Sequence, residues 1–318
     1  MANRINLSIV IPVYNSEETI EKLVKLLIEK LCLDYKLEIV LVNDCSKDNS
    51  ESICISLYEK YKEIVKFYSL AKNVGEHNAV MAGLNKISGD YIVIMDDDFQ
   101  NPVSEVVKLI SYATANNHDV VYTYYDRKFH SFFRNIGSKF INILADFILG
   151  KPKDLYLSSF KIINKFIVKE IIKYDLPYPY IDGLILRATS NIGKLKVEHK
   201  EREKGRSNYT TKKLIALWLN MFTNSSILPL RISIFLGFIF AVLGFSLGIY
   251  TFLEKLENPR LPVGFAALAV SIFIFAGIQL VALGAIGEYV GRIFMSQIRK
   301  SQFTIRKSCE LKQQSIET

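Results

Sequence analysis

The sequence predicts an α/β domain built on a mostly parallel sheet, followed by two transmembrane helices. Two patterns carry that reading. Between residues 7 and 125, short β-branched runs alternate with amphipathic stretches, the pattern of strand–helix crossover units. Beyond residue 228, two long stretches carry no charge in their middles; they hold the apolar excess of a chain that is 50% hydrophobic yet 23% charged.

In chain order, the strand LSIVIPV (7–13) leads to a helical pattern over 17–31, then LEIVLV (37–42) to a helix over 48–63. IVKFYSL (64–70) precedes a helix over 76–87, DYIVIMD (90–96) precedes a helix after Pro102, and DVVYTYY (119–125) follows. Ligands of such sheets sit outside the carboxyl ends of the strands, so PVYN, NDCSKDNS, AKNVGEHN and DDDFQNP are the loops to search. Segments 131–150 and 210–226 place bases among bulky apolar residues and read as interfacial helices; a helix packed on the sheet shows the same period.

The apolar stretches at 229–253 and 262–290 each exceed the roughly 20 residues a helix needs to cross a bilayer, and 254–261 leaves room only for a tight hairpin. Lys212, Lys213 and Arg231 precede the first span, and Arg292, Arg299, Lys300, Arg306 and Lys307 follow the second. The connection offers only Lys255 and Arg260, against Glu254 and Glu257. The expectation is a cytoplasmic domain over 1–228, a multi-pass plasma (inner) membrane protein with both termini cytoplasmic, and a basic tail over 291–318. The N-terminal apolar stretch is too short and Pro-interrupted for a signal peptide. Cys32, Cys45, Cys54 and Cys309 form no CxxC pair and lack a His partner at zinc spacing, so they read as reduced thiols. Gly237, Gly244 and Gly248 are candidates for helix packing in a homo-oligomer.

Asp96-Asp97-Asp98 follows a strand directly. Alternation lets Asp96 and Asp98 converge while Asp97 points away, and oxygen ligands at that spacing suit Mg²⁺ or Mn²⁺ bridging to phosphates. A solvated acidic turn is the plainer reading of the same triplet.

The ordered series SIVIPVYNSEE, VNDCSKDNS, NVGEHNAVMAGL, GDYIVIMDDDFQNP and EREKGRSNY, with two spans behind it, resembles the family 2 glycosyltransferases of the Rossmann-like GT-A (nucleotide-diphospho-sugar transferase) fold. Within them it is similar to the polyprenyl-phosphate glycosyltransferases, which include dolichol-phosphate mannose synthases and bactoprenol glucosyltransferases. LGKPKDLYLSSFKII, PYPYIDGLILRAT and IGEYVGRIF look closest to the undecaprenyl-phosphate 4-deoxy-4-formamido-L-arabinose transferase branch.

The resemblance implies a nucleotide pocket of Pro12, Tyr14, Glu17 and Asp44, with Asn43 where the family commonly has a second acid. It makes Asp96 and Asp98 the metal-binding and catalytic DxD, with Gln100 nearby and Lys72, Asn73 and Gly75 at the adjacent rim. Arg127, Arg134 and Ser138 match acceptor-phosphate positions, and Arg202 and Ser207 a closing RxxGxS loop. Many relatives carry an acid before a Phe-Arg pair, where this chain has Ser158, Ser159, Phe160 and Lys161. Asp182 is the candidate to replace that catalytic acid, though a lone Asp there reads equally as a helix cap. The implied partners are a nucleotide sugar, with UDP favoured, a polyprenyl phosphate and the bilayer. A processive polysaccharide synthase would need a QxxRW motif, and Trp218 is not in one. A net charge of +8 admits nucleic acid, but the bases cluster beside membrane segments. A non-catalytic scaffold or flippase component would have no use for a DxD.

Overall fold

The computed structural model describes residues 4–125, 152, 155–176, 179–198, 228–257, 264–297 and 301–311. The chain divides into two compact units, Met1–Thr211 with Lys300–Thr318, and Lys212–Arg299.

In the first unit the strands β1 (Asn6–Val13), β2 (Lys36–Asn43), β3 (Val65–Leu70), β4 (Tyr91–Ile94) and β5 (Val120–Tyr124) alternate with α1 (Ile20–Leu31), α2 (Ser50–Lys60), α3 (Glu76–Leu84) and α4 (Val103–Ala115). They are joined by β6 (Lys161–Asn164), α5 (Lys165–Ile171), α6 (Ile181–Ala188), β7 (Ile192–Lys196) and, from the far end of the chain, β8 (Ile305–Cys309). The sheet order is β7-β5-β6-β4-β1-β2-β3-β8. β1, β2, β3 and β4 are parallel, β6 enters antiparallel between β4 and β5, and β8 lies antiparallel on β3. With β5 and β7 also parallel, the sheet is mostly parallel as expected from the alternation, and β6 and β8 make it mixed. The tail expected only as a basic segment supplies a strand.

Each strand between two others is buried on both faces, which is why the sequence reads as unbroken β-branched runs. One core layer gathers Leu23, Leu27, Cys54, Leu57, Val106 and Leu109 from α1, α2 and α4. The opposite layer gathers Val80, Leu84, Ile167, Ile171, Ile181 and Ile185 from α3, α5 and α6. A Cβ on Gly83 would lie 2.5 Å from Val10 Cγ1, so glycine lets α3 lie close against β1.

The second unit holds α7 (Leu228–Glu257) and α8 (Phe265–Gln297). Ser233–Tyr250 and Ile274–Gly291 have mean hydropathies of 2.1 and 1.5, long and apolar enough to cross a membrane. Phe235, Phe238, Phe245, Leu280 and Val281 are exposed, surface that a bilayer would cover. A Cβ on Gly244 would meet the Phe275 ring at 3.3 Å across the hairpin, while one on Gly237 or Gly248 would meet open space.

Candidate active site

β1 is the point where the connections turn from one side of the sheet to the other, with β2 and β3 on one flank and β4 on the other. The β1–β4 ladder stops at Val10↔Ile94, with Met95 N donating to Val10 O. Two residues on, Pro12 has no N–H to continue it, so the strands part and a crevice opens at their carboxyl ends. Pro12 and Tyr14 are half-buried along it.

The loops after β1 and β2, whose ladder continues to Val13↔Asn43, are fastened to each other on the β2 flank of this crevice. Asn15 N donates to Ser46 Oγ (3.0 Å), Ser16 N to Ser50 Oγ (2.8 Å) and Glu17 N to Asp48 Oδ2 (3.1 Å). In return Lys47 N donates to Asn15 Oδ1 (2.9 Å) and Asn49 N to Glu17 Oε2 (2.9 Å). Glu17 thus braces the pocket wall. Asn15, Cys45 and Phe99 hold φ of 55°, 57° and 59°, a conformation costing a non-glycine residue about 1–3 kcal/mol that persists only where surroundings over-determine it. All three lie on rim loops.

Asn43 is fully buried. Its Oδ1 accepts from Ser46 N (3.1 Å), and its Nδ2 donates to Ser69 Oγ (3.1 Å) and Glu51 Oε2 (3.3 Å). Both donor hydrogens of Asn43 are committed inside the fold, where the residue builds the turn after β2. Asp44 accepts from Val74 N (2.7 Å) and Gly75 N (2.9 Å), while Asn73 Nδ2 donates to Asp44 O (3.2 Å). Burial raises its carboxyl above the usual range despite those two N–H donors. Gly75 has φ 90°, so glycine is required there, and Lys72 stands exposed on the same turn.

Asp96 and Asp97 take opposite sides of the chain beyond β4. Asp96 lies on the α3 side and accepts from Ser159 Oγ at 2.6 Å. Burial, then repulsion from Glu76 and Asp98, pushes its carboxyl up to about 7, against the Ser159 donor and the Lys161 charge. Asp97 points to the other face; burial raises it to about 7 against a hydrogen bond from Ser16, and its Oδ2 is buried without a partner. Asp98 Oδ1 accepts from Gln100 N (3.1 Å), a turn that sets its carboxylate at the rim. Phe99 is directed off the rim, where it lines a cavity of 540 Å³ with Leu26 and Val103.

The structure gives partners to residues that the sequence motifs only name. In β6, Lys161 pairs with Ile94, so the antiparallel register carries Ser159 opposite Asp96. Ser158, beside it, turns inward and donates to Phe160 O at 2.7 Å. Lys161, itself buried, forms an ion pair with Asp182. Asp182 Oδ1 also accepts from Tyr122 OH at 2.8 Å. His77 stacks edge-on to Tyr180 at 5.5 Å, and burial lowers its pKa. Asp182 is thus a buried carboxylate whose charge is paired within the fold. Arg127, Arg134, Ser138, Arg202, Ser207 and the segments 131–150 and 210–226 lie outside the described residues.

Among the described residues no three His, Cys, Asp or Glu side chains stand at metal-ligand spacing. The residues present nevertheless fit a Mg²⁺ or Mn²⁺ shared with a diphosphate, which takes one or two carboxylates and draws its other oxygens from phosphate and water. Burial is the main cause of the rise at Asp96, and the smaller repulsion from Glu76 and Asp98 gathered beside it is what a cation would relieve.

The family model Glycosyl transferase family 2 matches residues 8–172. The undecaprenyl-phosphate 4-deoxy-4-formamido-L-arabinose transferase of Yersinia enterocolitica is 33% identical over 308 residues, covering 94% of this chain and 92% of that protein. Its namesake from Photorhabdus laumondii is 32% identical, covering 94% and 93%. Among solved structures, Mycobacterium tuberculosis glucosyl-3-phosphoglycerate synthase in complex with Mn²⁺, UDP-glucose and phosphoglyceric acid superposes with a TM-score of 0.50 at 18% identity, covering 69% of this chain and 78% of that one. With the mostly parallel sheet, the crevice at β1 and the carboxylates beyond β4, these matches place the chain in glycosyltransferase family 2.

Proposed function

We propose that this enzyme transfers a sugar, with inversion, from a nucleoside diphosphate donor to undecaprenyl phosphate, producing a lipid-linked sugar for cell-envelope glycan modification. The observation that carries it is the pair Asp96 and Asp98 at the switch point of a family 2 sheet, in a chain that also bears two apolar helices. The relatives named for undecaprenyl-phosphate transfer match over 94% of the chain, membrane helices included, which supports the lipid acceptor.

The acceptor phosphate is already anionic at neutral pH. Its oxygen attacks the anomeric carbon, the bond from that carbon to the diphosphate oxygen breaks, and the nucleoside diphosphate leaves. A strong general base is unnecessary, consistent with Ser158 and Ser159 standing where relatives carry an acid. Asp96, oriented by Ser159, and Asp98, oriented by Gln100 N, would hold the divalent cation, which supplies charge neutralisation to the leaving diphosphate. Tyr14, Glu17 and the Asp44–Gly75 turn form the nucleotide wall. Arg127, Arg134 and Ser138 are assigned to the acceptor phosphate and Arg202 and Ser207 to a closing loop, on motif position.

The test is purified protein in detergent with undecaprenyl phosphate, Mg²⁺ or Mn²⁺ and a panel of UDP-, GDP- and dTDP-sugars, scored for glycolipid by mass. One donor should give product, UDP-sugars being the first to try. Folded protein that binds the lipid yet converts no donor, including 4-formamido-arabinose, would overturn the reading.

A second proposal concerns topology. β1 to β7 precede the apolar hairpin and β8 follows it within the same sheet, so both ends of the hairpin belong on one side of the membrane. The flanking bases favour the cytoplasmic side. In a chain whose four native cysteines are replaced, Asn258→Cys should react with an impermeant thiol probe on intact cells and Leu311→Cys only after permeabilisation. The reverse pattern would refute this orientation.

A further inference from the structure

The strand that follows the membrane hairpin reaches the rim of the site. Between β3 and β8 the register steps from Ser69↔Lys307 to Leu70↔Ile305, so two residues of β8 face one of β3 and Arg306 is the extra residue of a bulge. The core confirms the step. Cys309 packs with its partner Phe67 in the layer under α1, α2 and α4, while Ile305 packs with Leu70 in the opposite layer. Strict alternation would put residues 305 and 309 on one face.

The bulge turns Arg306 toward the end of β3. There its Nη2 donates to Ala71 O at 3.2 Å, and Ala71 N donates to Thr304 O at 2.8 Å. Both backbone polar groups of Ala71 are therefore held by the tail. Ala71 opens the turn whose Asn73, Val74 and Gly75 fix Asp44. The tail is anchored on either side of this contact: Gln302 Nε2 donates to Tyr174 O (2.7 Å) and Leu176 O (2.8 Å) beyond α5, and Glu310 accepts from Tyr68 OH.

We propose that Arg306 is a positioning residue for the nucleotide donor: residues 301–311 form a strap whose bulged arginine sets the Ala71–Gly75 turn, and through it Asp44. The proposal rests on the reading of that turn as part of the nucleotide wall.

The experiment is steady-state kinetics on the full-length chain in detergent, varying nucleotide sugar and undecaprenyl phosphate separately, with thermal unfolding alongside. Arg306→Ala should raise the donor KM about tenfold, the worth of one hydrogen bond, with kcat, acceptor KM and melting temperature little changed. Arg306→Lys, which retains a donor, should recover part of the loss, and Lys307→Ala, which removes an equal charge one residue away, should not reproduce it. An unchanged donor KM in Arg306→Ala, beside a raised one in Asp44→Asn, would overturn the strap and leave the nucleotide wall standing. An unchanged donor KM in Asp44→Asn would instead remove the nucleotide wall, and the proposal with it. A general fall in kcat and melting temperature without rescue by lysine would reduce Arg306 to a structural role and also overturn the proposal.

Discussion

Asp98→Asn should lower kcat/KM for sugar transfer by about a thousandfold, roughly 4 kcal/mol of transition-state stabilisation, without altering the melting temperature or membrane insertion. The geometry explains why the two readouts separate. Asparagine keeps the size of the side chain, and its carbonyl can still accept from Gln100 N, so the turn survives. What is lost is the charge at the rim. Chelation of divalent metal should produce the same defect, reversed by Mg²⁺ or Mn²⁺. Asp97→Asn is the internal control, since Asp97 faces Ser16 on the opposite side of the strand, and it should retain most turnover. Transfer that persists after both Asp98→Asn and metal removal would sink the assignment of the acidic pair.

The largest effect on stability is expected at Lys161 and Asp182. Their side chains are 5% and 9% exposed, and the Lys161 ammonium also lies 5.1 Å from the centre of the Tyr122 ring. Asp182→Ala strands that ammonium in the core and should cost about 3–5 kcal/mol, read as a fall in melting temperature in detergent. Lys161→Met with Asp182→Leu replaces both charges by apolar groups of similar length and should recover most of that loss. The folded double variant then isolates a second consequence. Lys161 is the cation opposing the repulsion of Glu76 and Asp98 on Asp96, so transfer should remain impaired after stability returns. A double variant with full activity would show that the pair serves folding alone.

Much of the architecture was legible because its signals are local. β1 to β5 and α1 to α4 are runs whose hydrophobic period follows from burying one helix face or both faces of a strand. The acidic triplet stood out because it lies just past the end of β4, and alternation separated Asp96 from Asp97. β6 is four residues, too short to display a period. β8 reads IRKSC, an edge strand with two bases and a bulge that breaks its alternation, and so resembles a solvated tail.

The sequence by itself determined the class of fold, the two apolar helices, the strand ends where a ligand would sit and the residues of the acidic pair, since each depends on neighbours within a few positions. Tertiary structure alone decided that Ser159 orients Asp96, that Asp182 is neutralised by Lys161, that Asn43 is spent on its own turn and that the chain's tail returns to the rim at Ala71. The physical reason is common to all four. Each depends on hydrogen bonds or charge pairs whose partners are brought together by strand register or by the packing of distant segments, and a register shift of one residue would reassign them.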